Sequence, residues 1–233
     1  MIPGSLAYQQ MNFTTDLIAQ LTAAANPAQA KEMNIYMRER YSFFGVKAPQ
    51  RKAILKTTID TYKSQLDRPT VITIVKELYT QPQRELHYCA IELVTRFLKK
   101  KFQKEDITFI QQLIITHSWW DTVDMIAKHH LGGYLKSFPK ETTRIIQSFS
   151  NADHLWLNRS AILFQLDYKK ETNADLLFQL CLKHKNTGEF FINKAIGWAL
   201  REYAKTNPQA VITFVSEHSL SPLSEQEALK KLR

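Results

Sequence analysis

A short apolar pair recurs along this chain: Ala90-Ile91, Met125-Ile126, Ala161-Ile162 and Ala195-Ile196, at separations of 35, 36 and 34 residues. Five residues before each pair stand Glu85, Trp120, Trp156 and Phe190. That spacing accommodates two helices with their turns. A unit so small cannot bury its apolar face alone, so it must stack on its neighbours. The surrounding sequence agrees. Apolar residues fall at helical period, starting with a run opened by Thr15-Asp16-Leu17-Ile18. A second run goes from Pro49 to about Leu66, a third covers Arg84–Lys100 after Pro82, and another follows Pro139 through Phe149. Asn207-Pro208 and Ser221-Pro222 read as a cap plus first-turn proline, and Ser118-Trp119-Trp120-Asp121 as a capping box. Gly132-Gly133 and Gly188 read as helix ends or turns. With only six glycines and no hairpin signal, a β fold is excluded and the chain is all-α.

The signature residues of tetratricopeptide and ankyrin repeats are absent, so the period predicts a right-handed solenoid of HEAT-like helical pairs. One domain spanning 1–233 is expected, with about 1–13 as an N-terminal extension. On a helical wheel Ala90, Ile91, Val94, Ala161, Ile162, Ala195, Ile196 and Ala199 share the core side. The opposite arc collects Arg96, Lys99, Lys100, Lys128, Arg159, Lys194, Arg201 and Lys205, together with Trp120 and Trp198. Its acids are Glu85, Glu92, Asp124, Asp167 and Glu171. One helix of each pair lines the inner surface of such a stack, so the arc predicts a concave basic groove carrying tryptophans. The excess of 31 Lys+Arg over 22 Asp+Glu, a net charge of +9, points the same way, toward a polyanion such as duplex DNA. A solvated basic face with two packed tryptophans is the alternative.

Two aspartates lie beside Trp120. Asp121 falls where a capping-box acid belongs, whereas Asp124 sits one turn beyond Trp120 on the same face with no helix-end role. Residue types alone leave Asp124 as either a salt-bridge partner of Arg159 or a catalytic carboxylate.

These segments carry a resemblance. Ser118-Trp119-Trp120-Asp121-Thr122-Val123-Asp124, Trp156 through Leu166, and Phe190-Phe191-Ile192-Asn193-Lys194-Ala195-Ile196-Gly197-Trp198 are similar to the AlkD family of DNA alkylation-repair glycosylases. Tyr36-Met37 followed by Phe43-Phe44-Gly45-Val46 resembles that family's N-terminal motif. The likeness runs from about residue 30 to the C-terminus. It implies a HEAT-like fold that cradles duplex DNA, with Asp124 as the catalytic carboxylate and Trp120 and Trp198 flanking the lesion nucleotide. It further implies that Arg159 contacts the DNA backbone there and that Tyr36 reaches the strand. Phe190 and Phe191 are expected near the DNA, and Lys128, Lys194, Arg201 and Lys205 on its phosphates. Asp167 and Lys47-Ala48 depart from the family pattern, Asp167 standing where a basic residue is expected.

The chemistry implied needs no cofactor and no metal. A purine alkylated at N3 or N7 is already cationic and leaves C1′ without a general acid. A carboxylate about 4 Å from the resulting oxocarbenium contributes about 4 kcal/mol at an effective dielectric near 20. Flanking tryptophan faces add cation–π attraction of about 1–2 kcal/mol each. The resemblance implies that the lesion stays stacked rather than flipped.

Other signals are discounted. His129-His130 lacks a third ligand at metal spacing, and the lysines near 99–104 read as a solvated helix end. Trp119 falls on the core side, and Trp156 reads as packing between repeats. Cys89 and Cys181 stand alone and read as buried hydrophobes, so a reducing, cytoplasmic setting is expected. No membrane span and no secretory leader are expected. A groove binder needs no two-fold partner, so a monomer is expected. Three functions follow in order: an alkylpurine DNA glycosylase, a catalytically silent DNA-structure-binding relative, and a protein-binding scaffold.

Overall fold

Local capping chemistry sets many of the helix starts in the computed structural model, which describes residues 4–232. The side chains of Asn26, Asp67, Asn173, Asn207 and Ser221 accept from the backbone N–H three residues on, at 2.9–3.2 Å. Prolines follow four of them within the first turn, at 27, 69, 208 and 222, where a missing N–H costs nothing. Among the described residues the regular structure is helical, apart from one isolated bridge between Ser42 and Gln83. The chain is all-α. None of these helices is long and apolar enough to cross a membrane.

The chain divides into two compact units, one ending at Lys101 and one starting at Phe102. The first holds α1 (Gly4–Ala23), α2 (Pro27–Tyr36), α3 (Ala48–Tyr62), α4 (Arg68–Tyr79) and α5 (Arg84–Phe97). Thr15-Asp16, predicted to open a helix, lies inside α1, and the stretch set aside as an extension is helical from Gly4. Residues 1–3 lie outside the described residues. Phe13, Leu17 and Leu21 recur every four residues along α1 and are buried, as are Val71, Ile74, Val75 and Leu78 of α4, against which it packs. Glu85, assigned by the wheel to the groove arc, is fully buried. Its carboxylate accepts from the backbone N–H groups of Phe44, Gly45 and Val46 at 2.9–3.2 Å, so it organises a loop rather than facing solvent. Gly45 is obligatory in that loop: its φ is +84°, and an added Cβ would lie 2.1 Å from the Asn26 carbonyl oxygen.

The second unit holds α6 (Asp106–Ile115), α7 (Trp120–Met125), α8 (Gly132–Ser137), α9 (Thr142–Asn151), α10 (Leu155–Leu163), α11 (Ala174–His184), α12 (Phe190–Ala204), α13 (Pro208–Glu217) and α14 (Pro222–Leu229). Here α9 packs on α10 and α11 on α12 as successive pairs, as α4 and α5 do in the first unit, while α13 and α14 both pack on α12. The recurring pairs fall on α5, α10 and α12, where they are buried, and at the end of α7. There the pattern is offset: Met125 is 42% exposed while Ile126 and Ala127 are buried. From Ile126 to Leu131 the helix widens to a π-helical turn before continuing as α8, which shifts the core register. Gly132 therefore does not end a helix. It lies where α8 starts, and a Cβ there would stand 2.4 Å from the Phe164 carbonyl oxygen.

Candidate functional site

The predicted capping box, Ser118–Asp121, falls at the start of α7. α7 begins at Trp120 with Trp119 as its N-cap residue and no side-chain cap bond, and the Ser118 hydroxyl donates back to the Ile114 carbonyl at 2.6 Å. Trp119 is turned inward, where it is 5% exposed and meets Trp156 and Phe191 edge-on, with centroids 5.6 and 5.0 Å away. Trp156 and Phe191 lie 5.1 Å apart. Three aromatic rings from the starts of α7, α10 and α12 thus form one apolar floor.

Arg159 rises from α10 beside this floor, its guanidinium 6.0 Å from the Phe191 ring centre. Only 5% of its side chain is exposed. Its Nε donates to Asp124 Oδ1 at 2.7 Å, its Nη2 to Oδ2 at 2.9 Å, and its Nη1 to the Phe191 carbonyl oxygen. The bidentate fork fixes both the position and the plane of the Asp124 carboxylate. Asp124 retains 13% side-chain exposure against 5% for Arg159. Burial pushes the Asp124 carboxyl above its ordinary value; Arg159 pulls it back, and Asp121 adds to the rise. Each carboxylate oxygen keeps a second lone pair for water or substrate. Of the two roles left open for Asp124 by residue type, the structure shows the first: it is the salt-bridge partner of Arg159, with 13% of its side chain exposed. Arg159, expected on the DNA backbone, is instead occupied by Asp124 and by the start of α12.

Trp120 lies half-buried one turn before Asp124, and Met125 and Phe190 are 42% and 52% exposed. Trp198 is half-buried two turns along α12. Phe191, unlike Phe190, is mainly a packing residue. Tyr36 belongs to the first unit, where it is 71% exposed at the end of α2, beside Arg38 and Glu39 with φ of +55° and +58°.

The cations expected on phosphates all carry acidic partners. Lys128 pairs with Asp167 at 3.0 Å, and Asp167 also meets His129 Nδ1 at 3.2 Å, which explains an acid on a basic arc. Lys205 pairs with Glu202 at 2.7 Å. Glu227 of α14 bridges Lys194, at 2.7 Å, and Arg201. Hydrogen bonds from those two cations hold the Glu227 carboxyl down at about 2. Sequence reasoning missed Glu227, because it faces α12 only through the docking of α14. A signal existed in Gly197: a Cβ there would lie 2.5 Å from Glu227 Cβ and 2.8 Å from the Ser224 carbonyl oxygen. No group of three or more His, Cys, Asp or Glu side chains is placed to hold a metal ion among the described residues.

Residues 17–232 match the profile of a family described as DNA alkylation repair enzyme. Among solved structures, the chain is similar to one described as a predicted DNA alkylation repair enzyme from Enterococcus faecalis. The TM-score is 0.82 at 34% sequence identity, covering 89% of this chain and 96% of that one. Comparison with curated protein sequences gives no match.

Proposed function

Because the chain belongs to the DNA alkylation repair enzyme family, we propose that it is a DNA glycosylase acting on purines alkylated at N3 or N7 in duplex DNA. One observation carries the reading: the Asp124 carboxylate is clamped by a buried arginine yet keeps 13% of its side chain exposed, one turn from Trp120. In the proposed step the C1′–N bond breaks and its electron pair leaves with the base. The base enters cationic and departs neutral, so the enzyme supplies no proton. Positive charge develops on the sugar, and Asp124 stabilises it through space. A water held on a free lone pair of the carboxylate then bonds to C1′ and loses its proton to Asp124 or to solvent.

Arg159 is a positioning residue in this scheme. Its two bonds to the carboxylate orient Asp124, and its bond to the Phe191 carbonyl ties the start of α12 to the same point. Trp120 and Trp198 are assigned to the flanks of the lesion nucleotide, and Phe190 to the adjoining strand. The partner is double-stranded DNA, bound by a monomer in the cytoplasm, with neither metal nor cofactor.

The test is release of 7-methylguanine or 3-methyladenine from methylated duplex, with wild type beside Asp124→Asn. Release by wild type and its loss in the variant, with duplex binding retained, support the proposal. Tight binding without release by wild type would leave a silent DNA-binding protein instead.

A further inference from the structure

α14 is a firmly docked helix. Ser224 is buried and donates to the Asn193 carbonyl of α12 at 2.9 Å, Ala228 is fully buried, and Glu227 grips Lys194 and Arg201. Gly197 permits this close approach by lacking a Cβ. The helix ends at Leu229 with Lys230 as its C-cap residue, and the Leu232 N–H donates back to the Leu229 carbonyl at 2.9 Å, so Lys230 and Lys231 lie in a turn that follows α14 directly. They line an open depression of about 410 Å³ with Trp198, Arg201, Glu202 and Lys205.

The charge and shape of that depression are distinctive. Four cations face one lining carboxylate, Glu202, with Glu227 behind Arg201. Lys230 and Lys231 are exposed and have no acidic partner among the described residues. Arg201 spends one guanidinium nitrogen on Glu227, leaving other donors for a ligand. Trp198 adds an aromatic surface, with no ring or cation stacked on it among the described residues. Cations beside an aromatic surface suit a nucleotide unit, whose phosphate meets the charges and whose sugar or base meets the ring. A small free anion would use the charges and leave the tryptophan idle.

We propose that the Lys230–Lys231 end of α14 completes, with Arg201, Lys205 and Trp198, a subsite for backbone phosphates of nucleic acid. This rests on the DNA-binding part of the function proposed above. It adds two contacts from outside the repeated pattern, and it makes the docking of α14 part of substrate binding.

The test measures binding alone, on an undamaged fluorescent duplex, by anisotropy across a salt series. Each phosphate contact contributes about 0.9 to the slope of log K against log salt, so Lys230→Ala/Lys231→Ala should flatten it by about 1.8. Lys230→Arg/Lys231→Arg should restore the slope. A control, Lys140→Ala/Lys183→Ala, removes the same charge away from the depression and should flatten it by less than half as much. An unchanged slope in the first variant, or an equal change in the control, overturns the proposal. So does a saturable loss of DNA binding in phosphate, relative to chloride at matched ionic strength, that the alanine pair abolishes, because the subsite would then take the free anion. Base release is scored separately: a wild type that binds but releases nothing removes the glycosylase reading and leaves this slope to be judged by itself.

Discussion

Replacing Asp124 by asparagine removes a charge while keeping the side chain's shape, and the arginine behind it makes the consequence calculable. With the sugar cation about 4 Å outside the carboxylate, the attraction is about 4 kcal/mol at an effective dielectric near 20. The Arg159 guanidinium is bonded to both oxygens of Asp124 and is the more buried partner. Placed about 8 Å from the same sugar, it repels by about 2 kcal/mol, so the intact pair stabilises the transition state by about 2 kcal/mol net. Asp124→Asn deletes the attraction and leaves the repulsion, a loss of about 4 kcal/mol, or roughly a thousandfold in rate. Removing both charges, as in Asp124→Asn/Arg159→Met, forfeits only the net term, roughly thirtyfold. The double variant should therefore be faster than the single one by about thirtyfold. It should also be the more stable of the two, since the single variant strands a buried guanidinium and breaking such a pair costs about 3–5 kcal/mol. The assay is single-turnover release of methylated purine at saturating enzyme, below the melting temperature of both proteins. A folded double variant no faster than Asp124→Asn would refute the electrostatic account, as would a single variant within a few-fold of wild type.

Three further outcomes follow from the packing. Glu227 is held near 2, against an ordinary value of 4.5, so its stabilising effect is full above the ordinary value and is lost as pH falls from there toward 2. Because Lys194 is 37% exposed, screening reduces that effect to about 1–2 kcal/mol; urea midpoints of wild type and Glu227→Gln should differ at pH 7 and converge near pH 2. Gly197→Ala should destabilise the protein by about 1–2 kcal/mol, since overpacking against the α14 backbone exceeds the gain in helix propensity; an unchanged urea midpoint would show that α14 shifts freely. Burial raises both thiols, Cys89 to about 12, so neither cysteine should react with a thiol reagent at neutral pH until the protein unfolds. Mass spectrometry of the native protein after labelling checks this.

The sequence by itself determined the helical class, several helix starts and the core faces of α5, α10 and α12. These depend on contacts within one or two turns: Asn207 and Ser221 cap the N–H groups three residues on, and Ala195, Ile196 and Ala199 share a face whatever packs against it. The same local logic failed where the helix changed register or a distant partner intervened. The π-helical turn displaced Met125 to the surface, and Glu85 was drawn into the 44–46 loop. That Asp124 lies one turn beyond Trp120 on the same helix was legible from their spacing. That Arg159 clamps Asp124 rather than reaching outward, and that Glu227 engages Lys194 and Arg201, was decided by tertiary structure alone. A charged side chain's partner is chosen by which helices meet and how much water is left between them, and separations of 35 and 33 residues along the chain carry no record of that choice.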